Sequence, residues 1–151
     1  MNNTYLLPGL RLSPIAVERL ILAIGPGRYD SRTGSERFTV REAIAHLADW
    51  EPIFLHRLQT AVNSPGSEIE DLDEGEFAIR NNYASKDPVA EAKRFKEGRA
   101  ALVAYLESLP SEAWGNTVVH PIRGEMSVYD WANCIVGHDV YHIENFTEFL
   151  S

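Results

Sequence analysis

Residues 137–146 read GHDVYHIENF, and two of the chain's five histidines, His138 and His142, stand four apart within them. Residues four apart on a helix are neighbours on one face. Working outward, Val128, Trp131, Ile135, His138, His142, Phe146 and Phe149 recur at steps of three and four, the period of an amphipathic helix. Ser127 followed by Asp130 is a capping box that starts it. The histidines share the stripe of the large apolar residues, so both imidazoles are expected to face inward. Two inward imidazoles can grip one ion, or they can be core residues bonded to a tyrosine or a carboxylate.

The same reasoning sets out the rest of the chain. Thr39 and Glu42 form a second capping box, and Val40, Ala43, Ile44, Leu47, Trp50, Phe54, Leu58 and Val62 carry a helical stripe across Pro52. They predict one helix over roughly 39–62, bent at the proline. An earlier helix is expected to begin at Ser13-Pro14, with Ile15, Leu20, Ile21, Leu22 and Ile24 as its apolar face, and to end at Gly25-Pro26-Gly27. Asp87-Pro88 opens another, with Val89, Ala92, Phe95, Leu102, Val103, Leu106 and Leu109 inward, Gly98 as its weak point and Pro110 as its stop. Residues 63–76, with six acidic side chains, read as a solvated loop leading to a short helix near 73–84. Residues 114–126 read as an extended crossover with a turn. Four long helices without a convincing sheet predict an all-α, four-helix bundle forming a single domain over 1–151, with one long irregular crossover before the last helix.

Bulk composition narrows the function. The chain has 151 residues, 44% of them hydrophobic, and a formal net charge of −8. An acidic surface disfavours phosphate backbones, so no nucleic-acid partner is expected. No apolar run reaches the roughly 18–20 residues a membrane span needs, and MNNTYLLPGL lacks the features of a secretory signal. One cysteine, Cys134, allows no disulfide within the chain. A cytoplasmic protein is the expectation.

A third histidine strengthens the metal reading. His46 shares a stripe with Ala43, Trp50 and Ile53 and lies two to three turns into its helix, as His138 does in its own. Three inward imidazoles without an ion are hard to satisfy, because each ring needs a donor and an acceptor partner. The candidate ligands are therefore His46, His138 and His142. Asp49, Glu51, Asp139 and Glu144 are candidates to orient the rings. His56 and His120 are expected at the surface, Tyr141 at a rim or in the core, Cys134 as a small buried hydrophobe, and Trp50 and Trp131 as core or pocket wall.

HLADWE (46–51) and GHDVYHIENF (137–146), with Gly124 and the Ser127 helix start between them, resemble the DinB/YfiT-like family of candidate metalloenzymes. The resemblance implies a four-helix bundle holding a divalent ion (nickel, zinc or iron) on one histidine of the second helix and two of the last. It also implies homodimers and, in characterised relatives, transfer or isomerisation using low-molecular-weight thiols. Where that family often has Gln after the second histidine of the last helix, this chain has Glu144-Asn145. The expected function is a metal-dependent hydrolase or thiol-dependent S-transferase acting on a small molecule. The alternatives are a non-catalytic metal-binding stress or sensor protein and a helical interaction domain.

Overall fold

The computed structural model describes residues 3–150; residues 1, 2 and 151 of the domain expected over 1–151 lie outside the described residues. Four long helices form the bundle: α1 (Leu6–Ile24), α2 (Val40–Asn63), α4 (Pro88–Ser108) and α5 (Val128–Thr147). A short helix, α3 (Glu74–Arg80), lies between α2 and α4, and the hairpin β1 (Thr117–His120) and β2 (Gly124–Ser127) lies between α4 and α5. Helices α1 and α2 each pack against both α4 and α5, so the first two long helices occupy opposite corners.

Local chemistry explains most of the boundaries. At α2, Thr39 Oγ1 accepts from the Glu42 N–H while Glu42 Oε2 accepts from the Thr39 N–H at 2.8 Å. Ser127 and Asp130 make the same reciprocal pair at the start of α5. Asp87 caps α4 and Pro88 follows it. Gly25, at φ +77°, ends α1 in a conformation that costs glycine little.

The structure corrects one expectation and refines two others. Helix α1 starts at Leu6, so Ser13 and Pro14 lie inside it rather than at its start. The proline was misread because Ser-Pro is equally the signature of a helix start. The inward face is consequently Leu6, Leu10, Val17, Ile21 and Ile24, and Ile15 and Leu22 are exposed. The acidic stretch is largely exposed, as expected, and within it Ser67 and Ile69 hydrogen-bond to Val119 and run beside β1. Gly98 is a weak point by propensity only, because a Cβ there would stand 2.8 Å from Glu51 Cβ. Its lack of a side chain lets α2 and α4 approach.

The core is two apolar clusters separated by a charged layer. One cluster holds Leu10, Phe54, Leu58, Leu102, Trp131 and Ile135; the other holds Val17, Ile21, Ile44, Leu47, Phe95 and Phe146. Between them Arg99, 1% exposed, bonds to Glu51 (Nε–Oε2 2.9 Å, Nη2–Oε1 2.7 Å) and to Asp139 (Nη1–Oδ2 2.6 Å, Nη2–Oδ1 2.9 Å). Its Nη1 also donates to the Leu10 carbonyl at 3.1 Å. Pro14, four residues on, has no N–H to offer that carbonyl. The guanidinium fills the gap and thereby ties α1 to the other three long helices.

Arg99→Ala would leave two buried carboxylates without their cation. It is expected to lower unfolding free energy by about 3–5 kcal/mol in urea titration. Gly98→Ala should destabilise by about 1–2 kcal/mol, the overlap with Glu51 outweighing the better helix propensity of alanine. A rise in stability for Gly98→Ala would contradict the close approach.

Candidate metal centre

The bundle brings together the three histidines that the sequence singles out. His46 comes from α2, His138 and His142 from α5, and one ring nitrogen from each lies within 4.8 Å of the other two. The Nε2 atoms of His46 and His138 are 2.9 Å apart. Ring centroids are separated by 4.7–5.1 Å in all three pairs. Phe38 and Trp50 pack on His46, Phe54 on His138 and Tyr141 on His142.

This enclosure sets the protonation state. Burial, followed by the neighbouring imidazoles, pushes His46 well below the ordinary histidine value. Burial likewise pushes His138 down to about 4, against a partial upward pull from Asp139. It pushes His142 down to about 3, aided by His138 and Arg37. Three neutral imidazoles at neutral pH are in the form that binds a metal. The donor set therefore suits a divalent ion, and the 2.9 Å between His46 Nε2 and His138 Nε2 is a separation that two nitrogens about 2.0–2.1 Å from one ion can have. The charged layer fits too, since Arg99, Glu51 and Asp139 together carry one more negative than positive formal charge beside His138.

The expected orienting carboxylates do something else. Glu51 and Asp139 hold Arg99, Asp49 holds Arg94 and Asn81, and Glu144 is exposed. His46 Nδ1 and His138 Nδ1 are buried without a hydrogen-bond partner among the described residues. The carboxylate nearest the rings is Glu74, at the start of α3, with Oε1 3.8 Å from His46 Nε2. Its side chain is half exposed, and the partial burial it has raises its pKa. Sequence reasoning missed it because a glutamate in an acidic run carries no periodic signal.

His120 also departs from the expectation. It is 3% exposed rather than at the surface. Its Nδ1 accepts from the Ile122 and Arg123 N–H groups, which fixes the turn between β1 and β2, and its Nε2 lies 3.3 Å from Asp71. His56 is exposed, as expected. Asn145 accepts from Arg37 Nη1 and its side-chain amide donates to the Tyr141 carbonyl, so it holds the end of α5 against the loop before α2.

Two cavities flank the triad. The one on the His142 side has a volume of about 260 Å³ and is walled by Arg37, Phe38, Asn145 and Phe149 among others. The one on the His138 side, about 420 Å³, is walled by Trp50, Phe54, Arg57, Arg123, Trp131 and Cys134 among others. Glu74 and Tyr141 border both. Both tryptophans are thus pocket wall as well as core, Tyr141 is a rim residue, and Cys134 lines the cavity rather than lying in the interior.

In metal-free protein the depressed histidines make stability depend on pH. Unfolded, each ring takes up a proton near pH 6.5; folded, His138 and His142 do so only near 4 and 3. Between those values the unfolded state binds more protons, so their contribution is complete above pH 6.5 and is lost as pH falls. Chemical unfolding at pH 7 and pH 5 should differ by up to about 2 kcal/mol for each ring. His142→Asn should flatten the difference, and an identical midpoint at both pH values in the unmutated chain would contradict the burial described.

The profile of the DinB superfamily matches residues 11–145, and no curated protein matches. Among solved structures, YfiT from Bacillus subtilis, described as a probable metal-dependent hydrolase with an unusual four-helix bundle topology, superposes with a TM-score of 0.90. It is 19% identical, and the match covers 97% of this chain and 84% of that one. At that identity the likeness shows the fold. No helix among the described residues is long and apolar enough to cross a membrane. With a family match running from within α1 to the last turn of α5, the chain belongs to the DinB superfamily.

Proposed function

We infer that the chain is a divalent-metal-dependent enzyme acting on a small molecule, by hydrolysis or by transfer to a low-molecular-weight thiol. The observation that carries this reading is the convergence of three neutral imidazole nitrogens between two cavities. A site built only for structure surrounds its ion with protein ligands; three protein ligands beside open space is the catalytic pattern. The solved neighbour described as a probable metal-dependent hydrolase adds support by analogy of fold. A cytoplasmic setting and pairing of two chains belong to the same proposal.

His46, His138 and His142 would hold the ion, which supplies Lewis acidity and lowers the pKa of a water or thiol. The chain's own groups do the remainder. Trp50, Phe54 and Tyr141 shield the site from bulk water and strengthen electrostatic interactions within it. Glu74, close to His46 and half exposed, would take the proton from the nucleophile and return it to the leaving group. Arg99 holds α2 and α5 in the register that aligns the rings, through Glu51, five residues after His46, and Asp139, one after His138.

Protein purified without a polyhistidine tag is expected to carry about one divalent ion per chain by elemental analysis, and His46→Ala and His138→Ala should each lose it. At an ion concentration of 100 Kd the unmutated chain should gain about 2.7 kcal/mol of stability, and the variants should gain none. Retention of a full equivalent in both variants would remove the metal reading. Thiol-stimulated turnover of an electrophilic test substrate separates an enzyme from a binding protein. Glu74→Gln should cost it about 10²–10⁴-fold with metal content unchanged.

A further inference from the structure

The larger cavity differs from the rest of the molecule in the chemistry of its unpartnered groups. Arg57 is 7% exposed on its wall and stacks over Trp131, with its guanidinium carbon 4.9 Å from the ring centroid. Among the described residues its side chain makes one hydrogen bond, Nη2 to the Glu70 carbonyl at 3.1 Å, and no carboxylate reaches ion-pair distance of it. The contrast with Arg99, whose five donors are all taken, shows how this fold treats an arginine meant for structure. Asp71 and, more weakly, Arg123, which is exposed at the cavity rim, are close enough to Arg57 to be felt electrostatically. Trp131 lines the same cavity, and its indole N–H is buried with no acceptor. Guanidinium and indole are donors only. The unused donors of Arg57 and Trp131 call for a ligand with acceptors, and a guanidinium with a second arginine at the rim suits one that is negative.

We propose that the cavity binds a small molecule with an apolar body and a terminal carboxylate, the carboxylate on Arg57 and Arg123 and the reacting group toward His138. Only the second half of that orientation rests on the metalloenzyme reading above. A carboxylate matches the planar guanidinium fork and can take two parallel N–H donors. The apolar body suits the faces of Trp50, Phe54 and Leu72. Two acidic groups also border the cavity. Asp71 is engaged with His120 at 3.3 Å and is half exposed, so solvent screens it. Glu74 lies toward His46. Neither forms an ion pair with Arg57 or Arg123.

The test uses the full chain, with its metal content measured in every sample. The probes are 3-phenylpropanoate, its uncharged amide and inorganic phosphate, titrated by calorimetry or ligand-observed NMR. The carboxylate is expected to bind at least tenfold tighter than the amide. Arg57→Gln and Arg123→Gln should each reduce that preference several-fold while leaving amide affinity and metal content unchanged, with Arg57→Lys intermediate. Arg123 is exposed, so Arg123→Gln decides the matter if Arg57→Gln does not fold. No preference in the unmutated chain, or a preference untouched by Arg123→Gln and by whichever Arg57 variant folds, overturns the proposal. So does phosphate binding more tightly than the carboxylate in an arginine-dependent way. A chain that binds no ion yet keeps an arginine-dependent preference for the carboxylate supports the anion site and counts against the metalloenzyme reading alone.

Discussion

The Arg99 guanidinium commits every one of its five N–H donors to three other helices: Glu51 on α2, Asp139 on α5 and the Leu10 carbonyl on α1. Charges this deep are costly to desolvate, and their mutual attraction largely offsets that cost without adding much net stability. What the arrangement supplies is register. A slip of one helix by a turn would strand a carboxylate in an apolar layer, whereas slipping a purely apolar face costs far less. Because His46 and Glu51 share α2, and His138 and Asp139 are adjacent on α5, the register that satisfies Arg99 is the one that brings the three imidazoles together. Glycine at position 98 belongs to the same constraint, since it lets the α4 backbone come close enough for Arg99 to reach Glu51.

The starts of α2, α4 and α5 and the inward-facing histidines were legible in the sequence because they are local or periodic. A capping box is a four-residue pattern whose two hydrogen bonds close on themselves, and the stripe through His138 and His142 repeats over five turns. The charged layer was equally periodic and still went unread. Arg99 falls on the stripe of Ala92, Phe95, Leu102 and Leu106, Glu51 on that of Leu47, Phe54 and Leu58, and Asp139 on that of Ile135, His142 and Phe146. A charge on an apolar stripe is the signal, and opposite charges on several stripes at a similar depth predict a buried network.

Other features depended on long-range pairing and left no local trace. His120 is buried because the backbone N–H groups of its own turn and the distant Asp71 close around it; a histidine before a proline in a polar segment reads as surface. Glu74 approaches His46 only because the chain after α2 runs beside β1 before α3 begins. The Ser13-Pro14 misreading has a different cause. A proline inside a helix is normally penalised for the carbonyl it leaves unbonded, and that penalty is cancelled here by a donor from α4, 85 residues further along the chain.

A bundle specified this way separates the residues that make the fold from those that make the chemistry. Periodicity, caps and one ionic network need few fixed identities, which is how a structure 19% identical can superpose with a TM-score of 0.90. The cavity walls are free of that duty. Trp131 keeps an indole N–H buried with no protein acceptor, and Arg57 commits only Nη2 to one, at a desolvation cost that apolar residues would avoid. Such a cost persists where a ligand offsets it. The two arginines thus mark the two roles: the saturated one fixes where the imidazoles stand, and the unsaturated one selects what is brought to them.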